Sequence, residues 1–184
     1  MVSNRDIQEE NLALLLTRAQ VIKHGEGHTD LARWGLTPDM ATEIGSLEHI
    51  QLERAADCAA PIFGFGALED VIIQAVEGSA PIVTNRDQVD AAIEEDNCLL
   101  LLNRWASCSD SPIFSETILG MSGRLIACLR RATVGELKRA SKRGVRLTSI
   151  VVRPQYFFHA GRNFSLGRAQ RTNLAICNAR SLAY

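Results

Sequence analysis

The 184-residue chain contains no CxxC pair and no Cys/His set at zinc-finger spacing. Its five cysteines, at 58, 98, 108, 128 and 177, are scattered and odd in number, which points to reduced thiols in a cytosolic protein. No apolar run approaches the roughly 18 residues a membrane span needs, and no basic segment followed by an apolar stretch opens the chain. A soluble, cytoplasmic protein with no membrane contact is therefore expected. No acid or histidine at a recognisable spacing completes a catalytic set, so neither an enzyme nor a cofactor is expected. Gly64-Phe65-Gly66 is too short and wrongly framed for a phosphate-binding loop. His24 and His28 flank Glu26, but Gly25 and Gly27 break the helix that would align them as metal ligands, leaving a solvated loop. No low-complexity linker interrupts the chain.

Net charge is also nearly missing, at −1, yet the sum hides a split. Residues 1–103 carry 6 Lys/Arg against 18 Asp/Glu, whereas residues 104–184 carry 14 against 3. Such a division marks either a face built for a polyanion or two halves that attract each other.

What is present is an internal repeat. Asn11-Leu-Ala-Leu-Leu-Leu-Thr-Arg18 returns as Asn97-Cys-Leu-Leu-Leu-Leu-Asn-Arg104, displaced by 86. Acidic pairs precede both, Glu9-Glu10 and Glu95-Asp96. At a shift of 85, Trp34–Ile44 lies over Leu119–Leu129, and Leu52, Arg54 and Ala55 lie over Leu137, Arg139 and Ala140. The change of shift falls in the polar loop at 23–30 or 108–112. Two tandem repeats are expected, 1–84 acidic and 85–184 basic, packed as one unit.

Each repeat reads as mainly α with one short strand. Residues 5–22 place Ile7, Leu12, Leu15 and Leu16 near one stripe, widened by Leu14. Thr37-Pro38-Asp39 has the chemistry of a helix start, and Leu47, Ile50 and Ala55 mark the next helix. Thr133 and Glu136 spell a capping box for its counterpart. Residues 61–65 and 148–152 read as strands that pair with one another, within one chain or between chains. Helices are expected over 68–77 (Leu68, Val71, Ile72 and Val76 inward), over 85–106 after a Thr84/Asp87 cap, and over 164–182 (Leu166, Leu174 and Cys177 inward). Trp34 and Trp105 read as core anchors. Tyr156, Phe157 and Phe158 read as core or seam filling, with a partner-binding surface as the alternative.

Asn11-Leu12, Trp34-Gly35-Leu36, Met40-Ala41-Thr42, Leu47–Asp57 and Ile62-Phe63-Gly64-Phe65 occur in the order of motifs found in the flagellar transcriptional regulator FlhD. The segment Asn11–Phe65 resembles that family, and the second repeat joins it through the internal match. The resemblance implies a helical, intertwined dimer with a helix-turn-helix-like element, here a covalent pseudo-dimer because the family is usually single-copy. It also implies DNA as a target, a FlhC-like protein subunit as partner, and activation of flagellar or mobile-element genes. Some relatives carry a cysteine in the strand where Phe63 stands here, which leaves an inter-subunit disulfide open for this chain. Further homo-oligomerisation is left open.

In the basic half, Arg130, Arg131, Lys138, Arg139, Lys142, Arg143 and Arg146 crowd one helix pair, and Arg153, Arg162, Arg168, Arg171 and Arg180 follow, a surface suited to DNA. The candidate DNA contacts among them are Arg139, Lys142, Arg143, Arg153, Arg162, Arg168 and Arg171. Arg168 and Arg171, one helical turn apart and away from Leu166 and Cys177, fit a recognition or backbone-contacting helix. Two alternatives stand beside this reading. The basic surface could pair with the acidic first repeat, or the chain could be an anti-activator that occupies the partner without touching DNA. Residues Leu68–Glu77 of the first repeat carry Glu69, Asp70 and Glu77 and no cation, a surface that repels phosphate.

Overall fold

The computed structural model describes residues 4–24, 31–79 and 91–179. Ten α-helices and one two-stranded sheet make these residues mainly helical. None of the described helices is long and apolar enough to cross a membrane. The chain divides into two compact units that cut across the sequence halves 1–84 and 85–184. The middle unit is built from Gly64–Ser149, and the terminal unit from Ser3–Phe63 with Ile150–Tyr184. The chain passes from one to the other inside β1 (Phe63–Gly64) and β2 (Ser149–Ile150), which pair as the strand reading expected.

In the terminal unit, α1 (Asn4–His24) packs against α2 (Pro38–Gly45) and α3 (His49–Ala56), and α9 (Pro154–Arg162) covers α2 and α3. The expected leucine stripe of α1 is the buried face: Ile7, Leu14 and Leu15 are buried, with Leu12 and Leu16 half-buried at its edges. Thr37 caps α2 by accepting from Met40 N at 3.3 Å, with Pro38 in the first turn. Gln51 Oε1 reaches back to Glu48 N at 2.9 Å and closes the start of α3. Gly161 lets α9 lie close on α3, since a Cβ there would stand 3.1 Å from Leu47 and 3.2 Å from Gln51 O.

The middle unit repeats these devices. α5 (Ala91–Asp110) packs against α6 (Pro112–Thr117), α7 (Gly123–Arg131) and α8 (Val134–Ser141), and α4 (Glu69–Val76) covers α7 and α8. Ser122 caps α7 through Leu125 N at 3.2 Å, and Glu136 Oε2 accepts from Thr133 N at 2.8 Å, the expected capping box. Gly35 and Gly120, displaced by 85, both sit at positive φ (71° and 64°), where a side chain would be strained.

One feature organises both units. Asn11, fully buried in α1, accepts from Ile62 N at 3.0 Å and donates to Ala60 O at 3.0 Å. Asn97, fully buried in α5, accepts from Leu147 N and donates to Val145 O, both at 2.8 Å. A side-chain amide thus satisfies one buried donor and one acceptor on the segment entering each strand.

Several expectations need revising. Residues 154–162 form helix α9, which the sequence reading did not assign; Pro154 sits in its first turn. Part of the loop placed at 108–112 is instead helix, as α5 runs to Asp110 and α6 begins at Pro112. The Thr84/Asp87 cap and His28 lie outside the described residues. Trp34 is buried, and Trp105 donates its indole N–H to Ala132 O at 3.0 Å. Tyr156 and Phe157 fill the core, whereas Phe158 is 41% exposed.

Replacing Asn97 with alanine leaves the buried Leu147 N–H and the half-buried Val145 C=O without this partner, so the folded state should lose roughly 1–3 kcal/mol. Asn11→Ala should cost a similar amount, and denaturant unfolding monitored by circular dichroism checks both.

Candidate nucleic-acid interface

The charge split disappears once helices are assigned to units. Described residues of the middle unit hold nine Lys/Arg against nine Asp/Glu, and those of the terminal unit hold nine against eight. Acidic α4 packs on basic α7 and α8, and α9, which ends in Arg162, packs on α3 and on acidic α2. Glu69 Oε1 accepts from Ser122 N at 3.0 Å, ahead of α7, and Asp70 pairs with Arg124 at 3.0 Å.

The candidate contacts separate accordingly. Arg139, Lys142 and Arg143 belong to the middle unit, and Arg153, Arg162, Arg168 and Arg171 to the terminal unit. Arg139 and Lys142 are exposed at the C-terminal end of α8, beside exposed Lys138. Arg130 and Arg131 are exposed in the last turn of α7, only two residues before α8 begins. None of these five makes an ion pair with another described residue. Cations at two helix C-termini offset the negative helix ends, so this clustering costs the fold little. Glu136, the acid of α8, is turned to Thr133; hydrogen bonds from the Thr133 backbone and hydroxyl hold its carboxyl below the usual range. Arg143 and Arg146 are half-buried in the loop that follows.

The terminal-unit candidates look different. Arg171 is a correction: it is only 5% exposed and faces inward from α10 (Arg168–Cys177). Its Nε donates to Asp57 O at 2.9 Å, and its two terminal nitrogens donate to Asp57 Oδ2 and Leu166 O. A guanidinium can close this triangle because it carries donors in a fixed planar fork. The inward face of α10 is therefore Arg171 and Ala175, while Cys177, expected inward, is exposed and Leu166 and Leu174 are half-buried. Arg168 is exposed but stands 3.5 Å from Asp57 Oδ1. Thr172 Oγ1 accepts from Ala59 N at 2.9 Å, a further tie between α10 and the end of α3. Arg162 is exposed, donates to Ser46 Oγ at 2.7 Å, and stacks on Phe158 at 4.9 Å. Arg153 is exposed at the start of α9.

Beneath the Asp57–Arg171 pair lies a buried polar group. The Tyr156 hydroxyl donates to Ala55 O at 2.6 Å and lies 3.3 Å from Cys58 Sγ. Burial pushes both the thiol and the phenol above their ordinary values. Cys108 and Cys128 are raised for the same reason. Among the described residues no group of three His, Cys, Asp or Glu is placed to hold a metal.

The inward position of Arg171 is not legible locally, because its partner Asp57 is 114 positions away and no local pattern signals that pairing. The grouping of Arg130 and Arg131 with Lys138, Arg139 and Lys142 on one helix pair is legible in the sequence, and all five are exposed at the ends of α7 and α8.

Arg171→Ala leaves the Asp57 carboxylate without its buried partner and should destabilise the chain by roughly 2–4 kcal/mol. Arg139→Ala on the exposed face should change stability by less than about 0.5 kcal/mol; thermal unfolding of both variants checks the contrast. The folded chain also retains thiol protons that the unfolded chain releases. Stability should therefore be unaffected by these thiols well below pH 9.0 and decline as pH rises through and beyond it. Iodoacetamide at mildly alkaline pH should alkylate exposed Cys177 well before Cys58, as read by peptide mass spectrometry.

The chain matches no protein-family model, no curated protein and no solved structure.

Proposed function

We propose that the chain is a DNA-binding subunit of a transcriptional regulator that resembles FlhD, with the α7–α8 pair as its DNA-contacting element. The observation that carries this reading is the exposed group Arg130, Arg131, Lys138, Arg139 and Lys142 on one helix pair joined by a two-residue turn. Such a group suits phosphate oxygens, whose condensed counterions it would release. The matching helices of the first repeat do not share this property. At the positions of Arg124, Lys138 and Lys142, displaced by 85, stand Asp39, Glu53 and Asp57.

The tandem, pseudo-dimeric part of the reading draws on the recurrence of Asn11 and Asn97, Gly35 and Gly120, and the paired caps at shifts of 85 or 86. It draws also on the exchange of α4 and α9 between units, as in an intertwined dimer. A FlhC-like subunit as partner and flagellar or mobile-element genes as targets rest on the resemblance alone. A second reading, an anti-activator that occupies the partner without DNA, is favoured by the Asp57 pairing of Arg168 and Arg171, which spends two candidate contacts inside the fold.

Gel-shift titration separates the two. Five phosphate contacts predict an affinity loss on the order of 10²–10³ between about 50 and 200 mM salt. Lys138→Glu with Lys142→Glu should weaken binding at least tenfold and lower the salt slope by about two. Absence of salt-sensitive binding, alone or with a partner, contradicts the DNA reading. Regulation that survives the double change supports the anti-activator.

A further inference from the structure

The terminal unit carries a second surface, of different chemistry, that the DNA reading does not use. Arg54 of α3 stacks on Phe164 at 4.4 Å and donates to Asn163 O at 2.8 Å. Arg162 at the end of α9 stacks on Phe158 and is held by Ser46 Oγ. Both guanidiniums are thus positioned by neutral acceptors, and neither forms an ion pair with another described residue. Phe158, Phe164 and Ile50, one turn before Arg54, are 41%, 61% and 50% exposed. Close packing of Gly161 on Gln51 brings the two stacks to the same α3–α9 junction.

Exposed aromatic rings with preset arginines are the residue types that dominate protein-binding hot spots. Stacking on the rings also fixes the guanidiniums in advance, so less entropy is lost when they meet an anion. The surface is unsuited to a continuous polyanion, because exposed Glu48 caps α3 and half-buried Glu53 lies 3.3 Å from His49 on the same helix as Ile50. The middle unit keeps only one arginine of this set, Arg139 at the position of Arg54. At the positions of Ile50, Phe158, Arg162 and Phe164, displaced by 85, stand Gly135, Ile73, Glu77 and Ser79, and Ile73 is buried.

We infer that the α3–α9 face of the terminal unit docks an amphipathic segment of another protein that presents carboxylates beside apolar side chains. The carboxylates meet Arg54 and Arg162, and the apolar groups cover Phe158, Phe164 and Ile50. This inference stands apart from the DNA reading, since its residues lie in the other unit.

Fluorescence anisotropy with a labelled amphipathic helical peptide of about 16 residues tests it. One version carries Glu flanking a Leu/Phe face, and its counterpart carries Lys in place of Glu. The full chain should bind the Glu peptide saturably and the Lys peptide at least tenfold more weakly. Phe158→Ser with Phe164→Ser should weaken Glu-peptide binding about tenfold or more while circular dichroism stays native. Lys138→Glu with Lys142→Glu should leave it unchanged, which keeps this test distinct from the gel shift. Equal binding of both peptides, no saturable binding, or retention in the Phe double variant overturns the inference. So does single-stranded oligonucleotide binding, or self-association by light scattering, that the Phe double variant abolishes.

Discussion

A buried asparagine in the long helix of each unit holds the backbone that leads into the strand, and the rest of the architecture depends on that clamp. A segment entering a two-residue strand has too few ladder partners to satisfy its own N–H and C=O groups. Asn11 and Asn97 supply the missing pair from the side, at distances of 2.8–3.0 Å. A planar amide offers a donor and an acceptor together, which is why asparagine serves there and leucine, otherwise abundant along both helices, would not. With the strand entry fixed, the chain can leave one unit inside β1 and return inside β2. The helix after each strand then completes the other unit's core.

That exchange gives the charge distribution its meaning. A split that reads along the sequence as an acidic half and a basic half becomes two nearly neutral units. Glu69 and Asp70 travel with α4 to Ser122 and Arg124, and Arg171 travels with α10 to Asp57. The two ties differ in weight. Arg124 and Asp70 are exposed and screened, so their pair contributes little. Arg171 is enclosed, hydrogen-bonded through each of its three guanidinium nitrogens, and costly to leave unpaired. What remains after internal pairing is a basic α7–α8 surface in the middle unit and an arginine–phenylalanine surface in the terminal unit. The two units thus present surfaces of different chemistry.

Local signals were the legible part of this fold. Thr37-Pro38, Thr133 with Glu136, and the leucine stripe of α1 depend on residues within a turn or two, and each does what its chemistry requires. The mainly helical class and the paired strands were legible for the same reason. Helix α9 was not, because Tyr156, Phe157 and Phe158 follow β-forming residues without an obvious break, and only Pro154 marks the change. The inward face of α10 was misjudged because Leu166, Leu174 and Cys177 look like a hydrophobic stripe. A buried ion pair with Asp57 outweighs that weak stripe, and its energy comes from a residue no local window contains. Nor does periodicity say which unit a helix joins, since α4 and α9 have apolar faces that would suit either. At the candidate interface, the cationic character of α7–α8 was plain from composition, whereas the exposure of Phe158 and Phe164 beside Arg162 and Arg54 needed the packing of α9 on α3.

The clamp is the claim on which the unit assignment and both surfaces rest, and amide hydrogen exchange followed by NMR reads it directly. The account predicts that the Ile62 and Leu147 amides exchange as slowly as the core amides of α1 and α5, because both are bonded to a fully buried side chain. Exchange of either amide at the rate of an open loop, in the intact folded chain, would contradict it.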